Sequence, residues 1–206
     1  PVSISGITLS GTTASNYLFN TSASSSANIT PATLTISATG SDRAYNGSIL
    51  ATVNLTLGAG SGVKGSDASA LTLAYGTASF ASPNVAYSGN TVITQPIAVS
   101  GITLTGSAAA NYVFNTSATT SAKINPAVLA VTAAAANKPY DGTNTASVTL
   151  SNNAISGDAV TVSFTSATFA NANAANGKIV TVAGLSLSGA SAPNYTLNNV
   201  SSVTTT

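Results

Sequence analysis

Apolar and hydroxylated residues alternate along most of this chain. Leu34-Thr35-Ile36-Ser37, Val53-Asn54-Leu55-Thr56-Leu57, Leu71-Thr72-Leu73 and Val160-Thr161-Val162-Ser163-Phe164 each send apolar side chains to one face and polar ones to the other. A period of two marks a half-buried strand. Threonine suits the outer face, because its branched Cβ favours extended backbone while its hydroxyl keeps the surface polar without charge. The pattern predicts an all-β fold built of one-sided, antiparallel sheets, with about five or six strands per unit. The strongest helical competitor, Ala133-Ala134-Ala135-Ala136, reads as strand end and loop, because the matching stretch one repeat earlier is Ala38-Thr39-Gly40-Ser41. Asn46-Gly47, Asp141-Gly142 and Ser82-Pro83-Asn84 supply turns, and Gly58-Ala59-Gly60-Ser61-Gly62 reads as a flexible loop.

The strands recur in blocks. Gly6-Ile7-Thr8-Leu9-Ser10-Gly11 followed by Asn16-Tyr17 returns as Gly101-Ile102-Thr103-Leu104-Thr105-Gly106 with Asn111-Tyr112, and again as Gly184-Leu185-Ser186-Leu187-Ser188-Gly189 with Asn194-Tyr195. Aligning 4–31 on 99–126 leaves 18 of 28 positions identical, so the register between copies is secure. The expected organisation is the C-terminal part of a preceding repeat at 1–31, a complete β repeat domain at 32–126, and a second, nearly complete one at 127–206. Ile29-Thr30-Pro31-Ala32 and Ile124-Asn125-Pro126-Ala127 form short junctions that proline stiffens. Residues 1–31 lack the strands they should pair with, which predicts either a different boundary or ordering by a neighbouring molecule.

Composition narrows the function. At 44% apolar, the chain has material for two cores of domain size. Only 4% of its residues are charged and the net charge is +1, so there is no electrostatic footprint for nucleic acid or an anionic membrane, and neither partner is expected. No run of residues is apolar enough to cross a membrane as a helix. Cys, Met, Trp and His are all missing, which removes disulfides, thiolate chemistry and the common zinc ligands and fits an extracellular life. The Asn-x-Ser/Thr triplets at Asn20, Asn28, Asn54, Asn115 and Asn194 are what chance produces in a chain so rich in these residues.

The recurring motifs read as architecture. Tyr45-Asn46-Gly47 and Tyr140-Asp141-Gly142 fit turns in which the Asx residue and glycine relieve backbone strain and the tyrosine ring covers the core edge. A sugar-contact reading is weaker, since one copy has Asn where the other has Asp. Asn16-Tyr17, Asn111-Tyr112 and Asn194-Tyr195 each follow a glycine turn and open a strand, with the tyrosine hydroxyl placed to bond backbone at the strand start. Calcium is disfavoured because Asp42, Asp67, Asp141 and Asp158 are the whole supply of carboxylates, and no metal or other cofactor is expected. An enzyme is disfavoured by subtraction: without His or Cys a serine nucleophile lacks its usual base, and the four acids read as solvated loop residues rather than a glycosidase pair. Lys-Asn isopeptide cross-linking would need one of those acids buried, and ice binding would need a much shorter repeat.

One family carries the same order of motifs. Lys138-Pro139-Tyr140-Asp141-Gly142-Thr143, Ile155-Ser156-Gly157-Asp158, Ala167-Thr168-Phe169, Gly177-Lys178-Ile179-Val180 and Gly184 through Leu197 resemble the YDG repeat of large bacterial surface proteins. The first complete unit, with Arg43-Ala44-Tyr45-Asn46-Gly47, Gly65-Ser66-Asp67 and Ala78-Ser79-Phe80, is similar, with two insertions and without the Asp of the namesake motif. The resemblance implies tandem elongated β domains, grasp-like as in the related mostly-β-grasp repeat or Ig-like sandwiches. It further implies the stalk of a filamentous-haemagglutinin-like adhesin, exported to the bacterial surface, whose partners are neighbouring repeats of the same protein. Two alternatives stay open at this point: a module that pairs with identical chains in a filament or biofilm matrix, and a carbohydrate-binding module of unknown ligand.

Overall fold

The computed structural model describes residues 1–58, 60 and 62–198, and the backbone of the strand Ser202–Thr205. Ala59 and Ser61 of the glycine loop lie outside the described residues. The chain is all-β. Among the described residues its only helical elements are single 3-10 turns, Ala14–Asn16, Asp67–Ala70, Ala109–Asn111 and Ala192–Asn194.

In the first repeat Gln95–Ser100 is the centre of an antiparallel sheet, flanked by Ser117–Ala122 and Thr77–Phe80. Its pleat buries Gln95, Ile97 and Val99 and exposes Pro96, Ala98 and Ser100, as the alternation demands. The second repeat repeats this with Val180–Ala183 between Ser166–Phe169 and Ser202–Thr205. A second antiparallel pair, Ile36–Gly40 with Val53–Leu57, returns as Val131–Ala135 with Val148–Asn152. The alanine run thus ends a strand, and Ala136 follows it.

An all-antiparallel arrangement is corrected by three ladders. Ala32–Leu34 runs parallel to Tyr112–Phe114, Arg43–Ala44 to Ile124–Asn125, and Ala127–Leu129 to Tyr195–Leu197. The first strand of each repeat is therefore the parallel neighbour of a strand from late in the same repeat, which departs from the antiparallel sheets of an Ig-like sandwich. Alternation reports which face a side chain takes, not the direction of the adjacent strand.

Every strand ladder among the described residues falls within 1–31, 32–126 or 127–206. Between Ile124–Asn125 of one repeat and Ala127–Leu129 of the next stands Pro126 alone. The cores are not separate, as composition suggested. Ile36, Tyr45, Phe80, Val85 and Ile97 of the first repeat belong to one continuous buried cluster with Leu129, Val180, Val182 and Tyr195 of the second. A smaller cluster of Leu34, Leu104, Ala108 and Tyr112 closes the opposite end of the first repeat.

Residues 1–31 pair with themselves, through the antiparallel hairpin Val2–Ser5 with Ser22–Ser25. No hydrogen bond joins this segment to the rest of the chain among the described residues. Val2, Ile4, Leu9, Tyr17 and Ile29 are exposed, whereas their counterparts Ile97, Val99, Leu104, Tyr112 and Ile124 are buried. Tyr17 opens no strand, because the parallel partner that makes Tyr112–Phe114 a strand has no equivalent here.

Candidate functional site

The Tyr-Asx-Gly corner sits where one repeat meets the next. The Arg43–Ala44 strand pairs with Ile124–Asn125, and the Tyr45 N–H extends that ladder by donating to the Asn125 carbonyl at 2.8 Å, directly before Pro126. Asn46 Oδ1 accepts the Ser48 N–H at 3.0 Å, and Gly47 takes a φ of +74°, a conformation that L side chains adopt only with strain. The Arg43 guanidinium closes the corner, donating to Asn46 Oδ1 and to the Ser48 carbonyl while lying 5.2 Å from the centroid of the Phe80 ring.

The second repeat builds the same corner with different residues. Lys138 Nζ donates to Asp141 Oδ1 at 2.9 Å and to the Thr143 carbonyl at 2.9 Å, Thr143 N donates back to Asp141 Oδ1 at 2.9 Å, and Gly142 has a φ of +77°. The ammonium lies 5.8 Å from the Phe169 ring centroid. The hydrogen bond from Lys138, reinforced by those from Thr143, holds the Asp141 carboxyl down at about 2. Asn46 and Asp141 both offer an acceptor oxygen to the turn N–H and to the neighbouring cation, and in the second corner that contact is an ion pair as well.

The two tyrosines part company beyond the turn. Tyr45 is 6% exposed and crosses into the second repeat, where its ring stands edge-on to Tyr195. Its hydroxyl donates to Asp158 Oδ1 at 3.1 Å, and the Tyr195 hydroxyl donates to the other oxygen of the same carboxylate. Tyr195 in turn accepts the Ile155 N–H at 2.9 Å. Beside this knot Asn194 is 4% exposed: its Oδ1 accepts the Val85 N–H at 2.9 Å and its Nδ2 donates to Asn84 Oδ1 at 3.0 Å. Tyr87 adds a hydroxyl donated to the Pro193 carbonyl at 2.8 Å. Burial, and then the bond to Asp158, raises the ionisation of both joint tyrosines, Tyr195 to about 12.

Tyr140 is 71% exposed, so its ring does not cover a core edge as the turn reading held. It lines an open hollow of about 610 Å³ with Lys138, Phe169, Asn173 and Lys178. The two corners do not converge on one cleft. Tyr112 is buried and donates to Asp67 Oδ2 at 2.7 Å while accepting the Lys64 N–H at 3.0 Å. The backbone groups that reach the hydroxyls of Tyr112 and Tyr195 are thus in a loop far along the chain, not at the strand start. Asn111, Asn16 and Tyr17 are exposed.

Three sets of participants were not given these roles from sequence. Asp67 and Asp158 read as solvated loop acids, yet both receive tyrosine hydroxyls, Asp42 accepts the Lys123 N–H at 2.7 Å, and Asp141 is clamped by Lys138. Arg43 and Lys138 went unassigned. Their signal was a cation two residues before each Tyr-Asx-Gly, hidden by the exchange of Arg for Lys. Asn84 read only as part of a turn and Val85 and Tyr87 carried no motif, and only folding brings them to Pro193 and Asn194.

Residues 30–122 and 125–205 each match a family model described as YDG domain. No curated protein and no solved structure matches the chain.

Proposed function

The chain belongs to the YDG domain family, two copies of which occupy most of its length, and we propose from that premise that it is a length of structural stalk in a bacterial cell-surface adhesin. Its work in this reading is mechanical: it holds a distal binding region away from the cell. The observation that carries the reading is the joint. A single proline separates strands of successive repeats, and on either side of it Tyr45 and Tyr195 converge on Asp158. Such a junction leaves little slack, so orientation passes from one repeat to the next. A surface rich in Ser, Thr and Asn with 4% charged residues, and no cysteine, supports an extracellular setting.

Small-angle X-ray scattering of the wild type and of Tyr45→Ala tests this. The stalk reading expects the wild type to scatter as one stiff body and the variant to show a broadened spread of inter-repeat distances. Equal flexibility in both proteins would end it.

A further inference from the structure

The chain joins asparagine to glycine twice, at Asn46-Gly47 and Asn176-Gly177, and both glycines have a positive φ, +74° and +63°. Such a pair invites attack by the backbone on its own side chain, because the second residue has no Cβ to shield its nitrogen. All four residues are exposed. What surrounds the two side-chain amides is different.

At Asn46 the amide oxygen is held from two sides. Arg43 donates a guanidinium N–H to Oδ1, and the Ser48 N–H donates to it at 3.0 Å. Both partners can only donate, so the atom between them is the oxygen and the free end of the amide is the nitrogen. Neither Asn46 Nδ2 nor the Gly47 N–H has a hydrogen-bond partner among the described residues. Nucleophile and leaving group are thus unengaged, while the carbonyl between them is polarised. Attack at Cγ turns Oδ1 into an oxyanion, and two donors already aimed at that oxygen lower the barrier. Arg43 keeps its aim because the Ser48 carbonyl and the Phe80 ring anchor it. At Asn176 no hydrogen bond reaches the amide among the described residues, and the adjoining cation, Lys178, is bonded to Asn171 and Asn173 instead.

We propose that Asn46 is a self-modification site, which Gly47 and Arg43 convert to aspartate without an enzyme. The Gly47 nitrogen bonds Asn46 Cγ, the Cγ–Nδ2 bond breaks, and Nδ2 leaves as ammonia with the proton that Gly47 gives up, closing a succinimide ring. Water then opens the ring. Addition of its hydroxyl at Cγ, with its proton returned to Gly47 N, gives aspartate on an unchanged main chain; addition at the backbone carbonyl gives isoaspartate. Arg43 and Ser48 polarise Cγ in both steps, so aspartate is the product. The second repeat shows that the corner accepts it: Asp141 Oδ1 takes the Lys138 ammonium at 2.9 Å and the Thr143 N–H at 2.9 Å, in the places of Arg43 and Ser48. Conversion leaves a carboxylate facing a cation in both corners and makes the Arg43 bond charge-assisted at each end.

The whole chain is aged in mildly alkaline buffer at body temperature and mapped by mass spectrometry with electron-transfer fragmentation, which tells aspartate from isoaspartate. In the folded protein Asn46 should convert several-fold faster than Asn176, with aspartate in several-fold excess over isoaspartate. In the same chain held in guanidinium chloride the two sites should convert alike and give mainly isoaspartate. Arg43→Lys, the residue of the second repeat, should keep the folded-state preference, and Arg43→Gln should lose it. The proposal is overturned if Asn46 outlasts Asn176 in the folded chain, if its main product there is isoaspartate, or if Arg43→Gln, once folded, leaves rate and product unchanged. Should Arg43→Gln fail to fold, the comparison of folded and denatured wild type decides by itself.

Discussion

The rings of Tyr45 and Tyr195, which belong to different repeats, meet edge to face with centroids 5.5 Å apart and planes at 77°, and both hydroxyls are donated to Asp158. The edge-to-face arrangement sets the positive rim of one ring against the negative face of the other. The shared carboxylate makes both hydrogen bonds charge-assisted.

Truncation should therefore separate the two corners that the sequence made look alike. Tyr45→Ala removes a ring buried at the joint and should cost about 2–4 kcal/mol in denaturant unfolding, splitting a cooperative transition into two as the repeats uncouple. Tyr140→Ala, at a largely exposed position, should change the stability of the single molecule by no more than about 0.5 kcal/mol. Equal losses would mean that the corners are equivalent after all.

Asp158→Ala leaves two tyrosine hydroxyls without their acceptor and should destabilise by about 2–3 kcal/mol. Asp67→Ala strips one hydroxyl only, and its loss should be smaller. Equilibrium unfolding of the two variants side by side gives the comparison.

The joint should weaken in alkali. Tyr195 is raised in the folded chain from an ordinary 10 to about 12, so it is harder to ionise folded than unfolded. A group raised in this way contributes stability that is complete below pH 10 and lost as pH climbs through about 12. Tyrosinate absorbance should show this late step, and Asp158→Asn, which removes the neighbouring negative charge, should bring it to lower pH.

At the other extreme, the Asp141 carboxyl should titrate near about 2 by NMR rather than at its ordinary 3.8. A depressed carboxylate contributes order that is complete above 3.8 and lost as pH falls through about 2. Lys138→Ala should return the midpoint toward the ordinary value.

Gly106 and Gly189 occupy the same place in successive repeats with φ of +120° and +105°, and a Cβ on either would collide with the carbonyl oxygen of Ala70 or Ala159. Alanine at these positions should cost more than about 1–3 kcal/mol, strain and collision adding together. Gly11 shares the conformation, at +130°, with no neighbour in reach, so Gly11→Ala should carry the backbone strain alone. Thermal unfolding of the three variants ranks them.

The strands, the turns at Asn46-Gly47 and Asp141-Gly142, and the repeat itself were legible from the residues, because side-chain period and φ preference are local properties that each segment carries wherever it is placed. Val53–Leu57 is the strand that its alternation drew. The parallel pairing of a unit's first strand with one from late in the same unit was not legible, since a strand's direction relative to its neighbour depends on the path of the whole chain. Nor was the different fate of Tyr45 and Tyr140, whose local sequences are nearly the same. One is buried and the other exposed because only the first has an acceptor face folded against it, with Asp158, Asn194 and Tyr195 brought there from more than a hundred residues away. Duplication wrote both halves of the joint into the sequence twice; which halves meet is decided by packing across Pro126.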